Sequence, residues 1–164
     1  MKHDGGIHYF DIHDDEDGDD SRPRRKLKTL ASKRRLPIHD IVLELGFLKH
    51  VDQSRAEGSV MVFPELVPGG VGERYGFQFS KWFSTLKQKI GIAGVDHHGL
   101  RHTAISALGE AKIIGDIADQ LDGHEILKER GRYMKGVSLE VLHESINSIR
   151  YDGIDADVIK GPKK

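Results

Sequence analysis

The chain has 164 residues, 25 Lys and Arg against 26 Asp and Glu, a formal net charge of -1 and no cysteine. That length accommodates one ordinary domain with its own core, and the missing cysteine excludes a disulfide framework and any thiolate metal site. No apolar run approaches the length that spans a bilayer, and no basic-then-apolar signal opens the chain, so a cytoplasmic protein without a membrane partner is expected.

Near-neutrality hides a local asymmetry. The stretch DIHDDEDGDD (Asp11 to Asp20) is almost all acid, and RPRRKLKTLASKRR (Arg22 to Arg35) is densely basic. A solvated acidic loop beside a basic strand accounts for this pattern as well as a surface that meets phosphate does, and charge alone leaves both open.

In chain order, GGIHYFDIH alternates apolar and polar residues and RKLKTL resumes after the acidic run, a hairpin signal with a long polar connection. Ile41, Val42, Leu45, Phe47 and Leu48 follow Pro37 at helical spacing, which predicts a helix over Ile38 to Val51. GSVMVFPEL is a short apolar run ended by Pro64, and VPGGVGERYG reads as a loop. Phe77, Phe79, Trp82, Phe83, Leu86 and Ile90 are spaced for one buried face of a helix near Ser80 to Ile90, a core face rather than a base-stacking platform.

DHHGLRHTAISAL (Asp96 to Leu108) then opens a helix with Leu100, Ala104, Ile105 and Leu108 on its apolar side. KIIGDIADQLDGH supplies a short helix closed by Gly123, and SLEVLHESINSIRY an amphipathic one with Ser138 as N-cap. EILKERGRYMKG between them is short and charged. These elements add up to an α+β chain, mainly α, with a small antiparallel β-element near the N-terminus. It is read as one domain over 1–151 followed by a flexible polar tail over 152–164.

The helix opened by DHHGLRHT gathers the chemistry. His98 and His102 share a face at metal-ligand spacing, but Gly99 stands where an H-E-x-x-H pair has its glutamate. VDHH resembles the signature of the DHH metal-dependent phosphoesterases, but no Asp-x-Asp follows an apolar strand upstream, which leaves that family as a third reading. Arg101 offers a planar, permanent cation that fits phosphate oxygens, and His98 three residues earlier adds a directed hydrogen bond. At a helix N-terminus both would face one anion together with the helix dipole, so phosphate is favoured over metal.

With Arg101 as the centre, HGLRHTAISAL matches the His-x-Leu-Arg-His helix start of the tyrosine recombinases, the phage-integrase family of DNA strand-exchange enzymes. IADQLDGHEILKERGRYM is similar to that family's Gly-His box followed, nine positions on, by its tyrosine nucleophile. KTLASKRRLPIH resembles its lysine-bearing β-hairpin, and VSLEVLHESINSIRYDGID the helix after the tyrosine. The resemblance covers nearly the whole chain from Lys28 onward and implies the fold of a tyrosine-recombinase catalytic domain.

What the resemblance implies is site-specific DNA recombination, integration or excision, through a 3′-phosphotyrosyl intermediate, with no metal and no other cofactor. Tyr133 would be the nucleophile, and Arg101 would clamp the non-bridging oxygens of the pentacoordinate transition state. His98 would hydrogen-bond the phosphate and is a candidate to accept the tyrosine proton, with His124 a second phosphate donor. Lys28 would be the general acid for the departing 5′-oxygen, with Lys26 and Lys33 as rivals for that part. Lys26, Lys33, Arg34 and Arg35 would contact the DNA backbone. His102 would support the helix or a neighbouring loop.

The partner implied is double-stranded DNA, with a tetramer of integrase subunits assembled on it. The family also uses an arginine on a helix upstream of the hairpin, before the strand that Met1 to His13 is read as. The expectation is therefore the C-terminal part of an integrase catalytic domain, cleaving weakly or undetectably by itself. A non-catalytic DNA-binding remnant is the alternative. Asp122 stands where the Gly-His box usually carries an apolar residue, which puts a carboxylate near His124.

Overall fold

The computed structural model describes residues 1–14, 27, 32–124, 136–151, 153, 154, 157 and 159. It is α+β: a three-stranded antiparallel sheet and, among the described residues, six helices. They divide into two compact units, Met1–Gly46 with Ile105–Lys164, and Phe47–Ala104.

In the first unit the strands are β1 (Lys2–Asp4), β2 (Ile7–Ile12) and β3 (Arg34–Pro37), ordered β1-β2-β3. Met1 to His13 is thus two strands rather than one. The reversal is Gly5-Gly6, at φ 54° and 86°, the left-handed pair that a two-residue hairpin turn demands and that glycine adopts without steric cost. Strand β2 pairs Phe10 with Leu36 and Ile12 with Arg34. The expected return strand at RKLKTL lies, apart from Leu27, outside the described residues.

The predicted helix over Ile38 to Val51 is two helices, α1 (Asp40–Glu44) and α2 (Phe47–Ala56). The break is Gly46, at φ 89°, a conformation that ends a helix rather than continuing it. His39 caps α1: its Nδ1 accepts from Ile41 N (3.1 Å) while Nε2 donates to Ile149 O (3.5 Å). One imidazole so satisfies a helix-start amide and fastens that start to the C-terminal segment.

The core of this unit is Ala107, Leu108, Ile113, Leu121, Leu142 and Ile149. It is built by the end of α4 (His97–Glu110), by α5 (Asp116–Asp122) and by α6 (Leu139–Ser148). Ser138 Oγ accepts from Val141 N at the start of α6, and Gly123 closes α5 at φ 81°, both as expected. Helix α4 ends on Lys112, a non-glycine at φ 59°. Ile113 N donates to Leu108 O and Lys112 N to Gly109 O, the double bond of a Schellman ending, which turns Ile113 back beside Leu108.

In the second unit α2 carries the buried pair Val51 and Ser54, and Ser54 Oγ and His50 Nε2 both donate to Val62 O. The Gly69-Gly70 loop lies on the Phe77 ring, where a Cβ on Gly70 would come within 2.6 Å. Glycine is required there by close approach. Helix α3 (Gly76–Lys89) starts one turn earlier than expected.

Its aromatics form no buried face. Phe79 and Trp82 are 38% and 56% exposed, Ile90 57%, and Phe79 rests on Trp82 and Phe83 at ring separations of 5.4 and 6.2 Å. Helical spacing of apolar residues reports that a helix has an apolar side, but whether anything covers that side depends on other elements. Likewise Leu100 and Ala104, expected on the packed side of α4, are exposed, and burial begins at Ala107 and Leu108.

Candidate functional site

The first turn of α4 is capped by the residue before it. Asp96 Oδ1 accepts from Gly99 N at 2.7 Å, the bond by which an N-cap carboxylate satisfies an orphan amide. That bond, then the His98 amide, and then the nearby His98 and Lys87 side chains hold the Asp96 carboxyl below the usual aspartate range despite a desolvation effect in the opposite sense. The mouth of the helix therefore already holds an anion of its own. Any external phosphate is left to the side chains rather than to the helix amides.

Those side chains line an open groove of about 510 Å³ within the second unit, between α3 and the start of α4. From α4 come His98 and Arg101, preceded by Asp96; from α3 come Ser80, Phe83, Ser84 and Lys87. The two serines and the lysine recur at intervals of four and three, which places them on one helix face. Lys87 Nζ donates to Val95 O, and its ammonium lies 5.5 Å from the centre of the Phe83 ring. His98 and His102 meet edge to face at 5.0 Å between ring centres, a supporting contact for the ring that lines the groove.

In the first unit His124 follows Gly123 directly. Its backbone N–H bonds Asp119 O and Asp122 Oδ1, and its ring Nδ1 lies 3.0 Å from Asp122 Oδ2. The carboxylate at 122 thus does stand against the imidazole, and it fixes the ring by its Nδ1 edge. Arg34 of β3 reaches the same turn: a Cβ on Gly123 would lie 2.6 Å from Arg34 Nη1 and 2.8 Å from Cζ. Nη1 also donates to Ser32 O at 3.0 Å.

Among the expected DNA contacts, Arg34 is thus folded against the protein's own turn, whereas Lys33 and Arg35 are exposed. Arg35 lies 5.6 Å over the Tyr9 ring. Tyr133, Lys28 and Lys26 lie outside the described residues, as does most of the acidic run. His98 and Arg101 share the groove of the second unit, and Arg34 and His124 share a turn of the first.

Sequence reasoning missed Lys87, Ser80, Ser84 and the capping role of Asp96. Signals existed for each: an aspartate three residues before Gly99 at a helix start, and a segment from Gly76 to Val95 with lysines and no acid. Among the described residues no three His, Asp or Glu side chains converge as a metal site would need, and no described helix is long and apolar enough to cross a membrane. No family model, curated protein or solved structure matches the chain.

Proposed function

We propose that the chain is the catalytic-domain portion of a tyrosine recombinase, with that family's fold, which breaks and rejoins duplex DNA through a covalent phosphotyrosine. The observation that carries this reading is the groove in which Arg101 and His98 of the His-x-Leu-Arg-His segment meet Lys87 and two serines of α3. A permanent guanidinium, an imidazole, an ammonium and hydroxyls around an open groove are donors for phosphate oxygens.

In the reaction the Tyr133 phenolic oxygen attacks the scissile phosphorus as its proton passes to a base, for which His98 is the candidate. The bond from phosphorus to the 5′-oxygen breaks, and that oxygen takes a proton from Lys28. Arg101 and His98 bind the non-bridging oxygens, where donors placed in advance lower the barrier by about 3 kcal/mol each; the resemblance gives His124 the part of a second phosphate donor. The phosphodiester bond is exchanged for a phosphotyrosyl bond, so the step reverses on a second 5′-hydroxyl without metal or nucleotide.

The test is a nicked suicide duplex offered to the chain, alone and joined behind a helix that supplies the family's other arginine. A denaturant-resistant adduct that Tyr133→Phe abolishes and a chelator leaves intact supports the proposal. An adduct surviving that substitution overturns the nucleophile assignment. Retained DNA binding with no adduct in either form selects a protein that occupies DNA without cutting it.

A further inference from the structure

We infer that α3 is a second DNA-binding wall, in which Lys87, flanked by Ser80 and Ser84, binds a backbone phosphate of duplex DNA lying in the groove that Arg101 and His98 line. The inference rests on the reading of the groove as a DNA site and adds to it a helix that the recombinase resemblance did not single out.

Three observations support it. The first is placement: Ser80, Ser84 and Lys87 lie on one face of α3, and all three line the groove. The second is presentation. Lys87 Nζ donates to Val95 O, which tethers the ammonium next to the start of α4, and an ammonium has three protons, so donors remain for a ligand.

The third is charge. From Gly76 to Gly109 the chain carries Lys81, Lys87, Lys89 and Arg101 against the single carboxylate of Asp96, in a protein whose net charge is -1. The acids are thus segregated away from this stretch, as a surface meeting a polyanion requires. Asp96, engaged in capping α4, subtracts one charge from the groove and leaves Lys87 and Arg101 in excess.

The experiment follows the binding of a short fluorescein-labelled duplex to the full chain by anisotropy across a salt series, for the wild type and for Lys87→Gln, Lys87→Arg and Arg101→Gln. Glutamine at 87 keeps an N–H donor but has no charge, so it separates a phosphate contact from a loss of polarity at that position. The expected result is that Lys87→Gln binds several-fold more weakly on any sequence and lowers the salt slope by about 0.9, the counterions of one phosphate, while Lys87→Arg retains both.

A slope unchanged by Lys87→Gln but lowered by Arg101→Gln overturns the α3 wall and leaves the DNA reading standing. A slope lowered by neither, or no binding by the wild type, overturns the groove as a DNA site and the wall with it. Thermal melts of each variant, matched to the wild type, show that the binding changes are not unfolding.

Discussion

Arg34 lies against Gly123 so closely that the smallest side chain would collide with it, its Nη1 being 2.6 Å from where a Cβ would stand. Gly123 is also at φ 81°, where a Cβ is strained in any surroundings. Gly123→Ala is therefore expected to destabilise the protein by roughly 2 kcal/mol, read as a shift in urea midpoint. Adding Arg34→Ala should recover the collision part but not the backbone part, so the double-mutant cycle should show a coupling of about 1 kcal/mol. A coupling of zero would mean that Arg34 does not pack on the turn.

Lys112 makes the opposite prediction. It holds the left-handed ending of α4 at φ 59° without being glycine, and an L-residue there costs about 1 kcal/mol. Glycine removes that strain but gains freedom in the unfolded chain, so Lys112→Gly should stabilise by up to about 0.5 kcal/mol. A lowered melting temperature would contradict the assigned helix ending.

Asp96 couples the cap to the groove. Asparagine caps helices as well as aspartate does, so Asp96→Asn should leave α4 intact while removing the one carboxylate that lines the groove among the described residues. Duplex DNA is then expected to bind several-fold more tightly at low salt, with the gain vanishing as salt rises.

The pH dependence of the same cap follows from its sign. The folded state holds the Asp96 carboxyl below its ordinary pKa of about 3.8, so its contribution to stability is complete above that value. The contribution is lost as pH falls through the lower, folded-state pKa. Amide exchange at Gly99 should therefore accelerate in strong acid, relative to that expected from intrinsic rates, more than exchange within α6.

Burial separates two apolar residues that the periodic pattern alone treats alike. Leu142 is 1% exposed in the core of the first unit, whereas Trp82 is 56% exposed. Leu142→Ala should cost about 3 kcal/mol, and Trp82→Ala within about 0.5 kcal/mol of nothing, despite the larger side chain. Chemical denaturation of the two variants checks this directly, and a large loss at Trp82 would restore the buried-face expectation.

What the sequence alone determined about this protein is local. Ser138 as the cap of α6, Gly123 as the end of α5, the α+β composition and the helix that displays His98 and Arg101 were all legible. Each depends on bonds between residues a few positions apart, or on the repeat of a single helix. Even the turn at Gly5-Gly6, the break at Gly46 and the Asp96 cap, though not anticipated, leave signals of that short range. Tertiary structure decided the rest: that Phe79 and Trp82 of α3 stay exposed, that its serine and lysine face shares a groove with Arg101, and that Arg34 closes on Gly123. Those outcomes join segments distant in the chain, and periodicity records which side of a helix is apolar or charged without recording what comes to lie beside it.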